Sequence, residues 1–346
     1  MIPAKGYAAE SSKSGLAPFS FERQEPKENE VLIDILYCGI CHADVHQSKN
    51  DYGGTLYPFV PGHEIIGRVK DTGSHVTKYK KGDVVGVGYF INSCGHCPNC
   101  ISHEEQFCDN GITPTQNGKL PDCTTTKGGY SDCIVVNENY VLRVPDKLAI
   151  AGAAPLLCAG ITTYSALLYN KIGKGHKVAI LGLGGLGHMA VKFAVSFGAD
   201  VSVLSTSPLK EESAEALGAH HFINTANEAE LKAVTGIFDF IIDTVSANHD
   251  YNMYLRLLKK DGTMILLGVP PENQQFAVGL LTSRRRKITG SFIGGIEDTQ
   301  QMLDYCAEHN ITADVEVITP DYINTAYDRM LNSDVHYRFV IDMKKF

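Results

Sequence analysis

KVAILGLGGLGHMAVKFA, residues 177–194, decides the fold. Val178 to Leu181 is an apolar run of strand length, and it passes directly into Gly182, Gly184 and Gly187 in a G-x-G-x-x-G order. A helical pattern follows through Phe197. In this setting the first glycine allows the tight turn, the second lets the backbone approach a pyrophosphate, and the third lets helix pack on strand. The helix N-terminus adds free N–H groups and partial positive charge. Three glycines alone are weak evidence in a chain with 33 of them. Between a strand and an amphipathic helix they predict a dinucleotide site, with Gly182, Leu183, Gly184, Gly185, Leu186 and Gly187 as the phosphate-binding loop. The alternative, a merely glycine-rich turn, leaves the flanking elements unexplained.

The end of the next strand selects the cofactor. A carboxylate about 20 residues on binds the ribose hydroxyls of NAD. Here that place reads Ser205-Thr206-Ser207-Pro208-Leu209-Lys210. No carboxylate repels a 2′-phosphate, and Ser205, Thr206, Ser207 and Lys210 can donate to one. The segment predicts NADP(H); the bland alternative is a solvated turn with an unrelated lysine. Asp200 is acidic but stands at the strand's start.

Outward from this unit, strand-like and helix-like runs alternate from about Ala151: DVSVLST, PLKEESAEALGA, HHFIN, FDFIIDTV, TMILLGV and KITGSFIG. That alternation predicts an α/β class, a doubly wound parallel sheet with covering helices. Residues 1 to about 150 read instead as β-rich, with short runs such as VLIDILY, EIIGRV and GDVVGVG between turn residues. After about residue 295 the pattern is helix, strand, helix, strand. A chain of 346 residues suggests two domains. Hydrophobic residues at 44% and charged residues at 20% are ordinary for a globular protein. The net charge of −8 argues against non-specific nucleic-acid binding. No apolar run reaches the roughly 18 residues that span a bilayer, so no membrane partner is expected.

Cys94, Cys97, Cys100 and Cys108 stand in the string CGHCPNCISHEEQFC. This C-x2-C-x2-C-x7-C spacing can close a tetrahedron of thiolates around one Zn²⁺ with no open position, which holds a loop in shape. The stretch from about 90 to 130 is otherwise structureless by pattern and needs such a tie. A disulfide pair is the alternative. It needs an oxidising compartment, and the N-terminal MIPAKGYAAESSKSG shows no apolar core of a signal peptide. The expectation is reduced thiols and a cytoplasmic protein. Three further islands carry metal-ligand residues: CGICHADVH with Cys41, PGHEIIG with His63 and Glu64, and APLLCAGITTYSA with Cys158. Each alone is weak. Together with the fingerprint they supply a Cys2His set with a fourth position open.

The motifs CGICHADVH, YPFVPGHEIIG, GHCPNC, PLLCAGITTYS, GLGGLGHMAVKFA, STSPLK, GSFIGG and YRFVID run in order from about residue 38 to the end. The chain resembles the zinc-dependent medium-chain alcohol dehydrogenases, and within them the cinnamyl alcohol dehydrogenase group. Alcohol dehydrogenase is the standing example of a Cys2His catalytic zinc, so the assignment of that ligand set rests on the resemblance. The resemblance implies a GroES-like catalytic domain from residues 1–151 and 295–346 around a Rossmann domain at 152–294. It implies two zinc ions per chain and a homodimer pairing through the strand near Ile288 to Ile293. It implies hydride transfer between NADP(H) and a primary alcohol or aldehyde, with zinc as Lewis acid on the substrate oxygen. Val245, Leu267 to Val269 and Ser291 to Ile293 end strands at the sheet's carboxyl edge and are expected to line the nicotinamide, with Thr162 also expected against the cofactor. Glu64 resembles the family carboxylate behind the metal; a hydrogen-bond acceptor to its ligands is the other reading. Arg338 is either a pyrophosphate contact or a surface ion-pair partner.

In this family a Ser or Thr follows the first zinc ligand by two residues and passes the alcohol proton on. Here that place is Ala43. His46 and Asp51 match the outer part of the relay, and a water or a ribose hydroxyl is expected to bridge the gap. The rival readings are an NAD-dependent polyol or sugar dehydrogenase, a non-catalytic NADPH sensor and a zinc-ribbon nucleic-acid protein. The first is disfavoured by STSPLK, the second by the intact Cys41, His63 and Cys158, the third by the acidic balance.

Overall fold

The structure is a computed structural model that describes residues 1–120 and 122–346. It divides into two compact units, Met1–Ile161 with Gly294–Phe346, and Thr162–Ile293. The first junction falls ten residues later than the change of sequence pattern suggests. The reason is local: the helix Ile150–Ala153 and the 3-10 turn Ala154–Leu157 pack on the strands of the first unit, with Ala153, Ala154, Leu156 and Leu157 buried.

The Thr162–Ile293 unit is built on a six-stranded sheet, all parallel. In spatial order the strands are His221–Asn224, Asp200–Ser205, Lys177–Leu181, Phe238–Asp243, Leu258–Leu266 and Lys287–Gly290. Numbered along the chain this is the 3-2-1-4-5-6 order of dinucleotide-binding sheets, whose ligand crevice lies outside the carboxyl ends where the order reverses. The reversal falls between Lys177–Leu181 and Phe238–Asp243. Val178, Ala179 and Ile180 are buried, as a central parallel strand covered on both faces requires. The helix Gly187–Ser196 lays Met189, Ala190, Val191, Phe193 and Ala194 into the core. Gly182 has φ +87°, a conformation that disfavours a side chain, and a Cβ there would lie 2.8 Å from Val245 Cγ2. The run expected as a strand from Ile288 to Ile293 is shorter, Lys287–Gly290, and it is an edge.

The other unit carries a seven-stranded sheet. Its path runs Val315–Ile318, Arg338–Asp342, Glu30–Gly39, Ile65–Thr72, Val84–Val87 and Leu142–Arg143, with Cys133–Asn137 also paired to Glu30–Gly39. All pairs are antiparallel except Val315–Ile318 with Arg338–Asp342. Ile33, Ile35, Ile65, Ile66 and Val85 form part of its core. Each such side chain contributes roughly 1.5–3 kcal/mol when fully buried. An antiparallel hairpin of Ile2–Ala9 and Leu16–Arg23 precedes the sheet and was not apparent from pattern. The 90–130 stretch holds more order than its sequence suggests: short strands Phe90–Asn92 and Thr113–Pro114, a helical turn Pro98–Ile101 and a 3-10 turn Glu105–Phe107. Among the described residues no single helix is long and apolar enough to cross a membrane.

Candidate metal and dinucleotide sites

Three neighbouring strands deliver the metal-ligand candidates to one end of the seven-stranded sheet. Glu30–Gly39 runs into Cys41, Ile65–Thr72 starts just after His63 and Glu64, and Arg338 opens Arg338–Asp342. The registers Cys38 to Ile65 and Gly39 to Val340 fix these ends side by side. Gly39 is required here, because a Cβ would run into the Glu64 carboxylate.

Cys41 is the N-cap of the helix His42–Ser48. Asp44, in that helix's first turn, accepts the Cys41 N–H at 2.9 Å through Oδ2 and holds His63 Nδ1 at 2.9 Å through Oδ1. The Tyr130 hydroxyl also donates to Asp44 Oδ2, at 3.1 Å. Asp44 and His63 are both fully buried. Pinning Nδ1 turns Nε2 toward the thiols, 3.3 Å from Cys158 Sγ, while the two sulfurs of Cys41 and Cys158 stand 3.9 Å apart. A tetrahedral zinc with ordinary Zn–S and Zn–N bonds sets sulfurs ~3.8 Å apart and sulfur to nitrogen ~3.5 Å. The donor atoms of Cys41, His63, Glu64 and Cys158 all lie within 4.8 Å of one another. The set therefore fits a zinc ion.

The ionisable groups of the site act on one another, and the hydrogen bond that lowers Cys41 raises Cys158 well above the ordinary thiol value. Cys41 lies well below the ordinary thiol value, through its hydrogen bond with Cys158 and the His63 charge. Burial alone lowers the His63 imidazole, yet the Asp44 carboxylate raises it well above its ordinary value. Burial pushes Glu64 up to about 7, against the opposing charge of Arg338. Glu64 Oε1 pairs with Arg338, while Glu64 Oε2 is buried with no hydrogen-bond partner. A carboxylate with one oxygen held and one open can serve the metal or its other ligands. Arg338 is buried, not at the surface, and its guanidinium lies on Glu64.

His46 Nδ1 sits 2.8 Å from Asp51 Oδ2, and the Tyr52 ring lies beside His46 at 5.6 Å. Ala43 offers no hydroxyl between Cys41 and His46. The Tyr89 ring meets the His63 ring edge-on at 5.5 Å.

The second group brings together Cys94, Cys97, Cys100 and Cys108, also within 4.8 Å. Cys94 and Cys100 sulfurs are 3.9 Å apart. Backbone N–H groups of Cys97, Cys100 and Cys94 point at the sulfurs of Cys94, Cys97 and Cys108, an arrangement that favours thiolates. All ten cysteines are free. Four thiolates at these separations fit a zinc with no open position.

In the Thr162–Ile293 unit the loop Gly182–Gly187 leaves the carboxyl end of Lys177–Leu181. Lys210 Nζ reaches over it to the Leu183 carbonyl at 3.0 Å, and Ser205 Oγ accepts the Ser207 N–H at 3.2 Å. The lysine and the serines expected to select a 2′-phosphate thus border the fingerprint, and no carboxylate stands among them. Val245, Val269 and Ser291 follow the ends of the next three strands, and Ser165 donates to the Ile293 carbonyl, with Thr162 one turn earlier. The set fits an NADP(H). Sequence reasoning missed Asp44 and Tyr130. Asp44 lies three residues after Cys41, a capping position that becomes visible once the helix start is known.

Two family models match: the alcohol dehydrogenase GroES-like domain over residues 27–146 and the zinc-binding dehydrogenase domain over 185–308. The chain is 51% identical over 343 residues to NADP-dependent alcohol dehydrogenase C 1 of Mycolicibacterium smegmatis, covering 99% of this chain and 98% of that protein. It is 51% identical over 342 residues to aldehyde reductase YahK of Escherichia coli (98% and 97% covered). It is 49% identical over 330 residues to a mannitol dehydrogenase of Petroselinum crispum (95% and 98% covered). A cinnamyl alcohol dehydrogenase from Sorghum bicolor superposes with TM-score 0.96 at 45% identity, covering 99% and 98%. The CAD of Helicobacter pylori, complexed with NADP(H), superposes with TM-score 0.94 at 42% identity over 99% of both chains. The chain belongs to the zinc-binding medium-chain alcohol dehydrogenases. Within that family it falls in the cinnamyl alcohol dehydrogenase group.

Proposed function

We propose that the protein is an NADP(H)-dependent alcohol dehydrogenase and aldehyde reductase of broad range, accepting aromatic, cinnamyl-type aldehydes. The observation that carries this reading is the convergence of Cys41, His63 and Cys158 at zinc-ligand separations, with Asp44 fixing the imidazole. A zinc held there supplies a Lewis acid for the substrate oxygen, and NADP(H) supplies or takes the hydride. The chain's own residues do the rest. Asp44 holds His63 in the orientation that presents Nε2. Arg338 offsets the charge of Glu64 and the thiolates. His46, oriented by Asp51, takes the alcohol's proton at Nε2 by way of a water or a ribose hydroxyl that bridges the gap at Ala43, and releases it to solvent. Tyr89 stands on the His63 side of the site as an aromatic wall for an aryl substrate. Lys210 and the serines at 205 and 207 favour the 2′-phosphate.

Two zinc ions per chain, a homodimer through the Lys287–Gly290 edge and a cytoplasmic location belong to the same proposal. The free cysteines support the last, and the unpaired sheet edge supports the dimer. A mannitol dehydrogenase relative favours a second reading, polyol oxidation. Steady-state rates with cinnamaldehyde, benzaldehyde and short aliphatic aldehydes, beside mannitol, each with NADPH/NADP and NADH/NAD, test both. The proposal expects kcat/KM to be highest for an aldehyde with NADPH. Mannitol with NAD as the best pair overturns it.

A further inference from the structure

A buried carboxylate paired with a histidine lies in the Thr162–Ile293 unit, outside the residues assigned above. Asp243 ends the strand Phe238–Asp243 where the strand order reverses, and it is fully buried. Its main-chain oxygen accepts the N–H groups of Leu267 and Gly268 at 2.9 and 3.0 Å. Its Oδ1 accepts the Val245 N–H at 3.0 Å. Thr244 donates through N and Oγ1 to the Leu181 carbonyl at 3.1 and 2.8 Å. The turn Asp243–Val245 therefore forms the floor of the glycine-rich loop and fixes Val245, which lies against Gly182.

A carboxylate in that position is costly unless a positive charge meets it. His249 is the group that does. Its Nε2 lies 2.9 Å from Asp243 Oδ2, and its Nδ1 lies 2.8 Å from the Ala247 carbonyl oxygen. The Ala247 oxygen and an ionised Asp243 are both acceptors, so a ring that donates to both carries both protons. The other groups facing it are Asp250 and the rings of Tyr251 and Tyr254, at 4.9 and 5.7 Å, and none brings a positive charge. Burial lowers the imidazole's value, but Asp243 and the Ala247 carbonyl outweigh it and the net shift is upward from 6.5.

We propose that His249 is a positioning residue for the dinucleotide site: as an imidazolium it neutralises Asp243 and clasps the 243–249 loop, holding the turn beneath the glycine-rich loop in its binding geometry. The proposal rests on the reading that this unit binds NADP(H). A histidine whose value is raised on folding stabilises fully below its unfolded value, and that stabilisation is lost as pH rises through the raised folded value. On losing its proton the ring keeps one N–H on Asp243 and turns a lone pair toward the Ala247 oxygen. NADPH affinity should therefore hold on the neutral and acid side and weaken on the alkaline side.

The test has two arms. In ¹³C,¹⁵N-labelled wild type, with His249 assigned through backbone and side-chain correlations, both ring nitrogens should show protonated shifts at pH 7. A single neutral tautomer there overturns the proposal, and this arm needs neither cofactor nor a folded variant. In the second arm NADPH dissociation constants are measured by calorimetry from pH 6 to 9. His249→Asn should bind roughly ten-fold more weakly at pH 7.5, because the Asp243 charge stands uncompensated. The double variant with Asp243→Asn should recover most of that loss, since a neutral amide needs no counter-charge. A His249→Asn protein that binds like wild type, or a double variant no better than the single, overturns the clasp. Wild type that fails to bind NADPH at all overturns the dinucleotide reading instead, and the ¹⁵N arm still decides the charge on His249.

Discussion

Arg338 and Glu64 meet as an ion pair across 274 residues of chain, with both side chains closed off from solvent. Burial works against both charges; Glu64 and the thiols hold Arg338 charged, whereas for Glu64 the attraction of Arg338 is opposed by burial and by the Cys41 thiolate. Removing one partner of such a pair strands the other in a dry site and costs about 3–5 kcal/mol. Arg338→Met should therefore lower urea stability by that amount. Arg338→Met with Glu64→Gln should recover part of it, because the stranded charge is gone. Equal destabilisation of single and double variants would show that packing, not charge, is what Arg338 supplies.

Asp44 acts on His63 and Cys41 at once. An Asn at this place keeps one acceptor for His63 Nδ1 but turns an NH2 toward the Cys41 N–H and the Tyr130 hydroxyl. Asp44→Asn should weaken zinc binding at this site by roughly 10- to 100-fold, measured by competition with a chromogenic chelator. Unchanged zinc affinity would remove Asp44 from the site's support.

Cys100 is buried within the four-cysteine lobe, and a serine hydroxyl there is a poor zinc ligand. Emission spectrometry should find about two zinc ions per wild-type chain and about one in Cys100→Ser. The remaining ion should be the one held by Cys41, His63 and Cys158, so the Cys100→Ser, Cys158→Ser double variant should hold close to none. A wild-type chain with one zinc refutes the paired-site reading.

The parts of this molecule legible in sequence are those in which neighbours in space are neighbours in chain. The fingerprint and the four cysteines each fit within about one supersecondary unit, so spacing alone reports them. Cys41 and His63 come together through strand register, and the 3-10 turn Ala154–Leu157 brings Cys158 to them, so the three were recognisable through resemblance and not through spacing. Asp44, Tyr130 and the Arg338–Glu64 pair were not legible as a unit, because their meaning depends on which strand ends lie side by side. His249 was silent for a related reason: its partner closes a short irregular loop that has no periodic signature. The hairpin Ile2–Ala9 with Leu16–Arg23 escaped notice because its apolar alternation is broken by Gly6 at a buried place and by Pro3, Ala17 and Pro18 at exposed ones.

His46 has the geometry of a proton acceptor oriented by Asp51, yet Ala43 leaves a gap on its inner side. His46→Ala should slow alcohol oxidation near neutral pH by at least roughly 100-fold, the lower bound of what a placed base contributes. The loss should shrink as pH rises, because solvent hydroxide then takes the proton. Ala43→Ser should raise oxidation more than it raises aldehyde reduction. If the pH–rate profile of His46→Ala overlays that of wild type, the proton leaves by another route.

Among the described residues Lys210 is the cation that reaches the glycine-rich loop from the end of Asp200–Ser205, at 3.0 Å from the Leu183 carbonyl. Half-buried, it has its own value lowered by burial, so an added phosphate dianion beside it would be strongly favoured. Lys210→Ala should raise the KM for NADPH roughly ten-fold and leave that for NADH within about two-fold, with kcat little changed for either, because the contact is uniform binding and not transition-state binding. Ser205→Asp places a carboxylate where NAD enzymes have one. It should reverse the preference, lowering NADPH efficiency through charge repulsion while giving NADH ribose hydroxyls an acceptor. The discriminating quantity is the ratio of kcat/KM for the two cofactors in each variant. A ratio that does not move in either Lys210→Ala or Ser205→Asp would mean that the 2′-phosphate is recognised elsewhere in the Thr162–Ile293 unit.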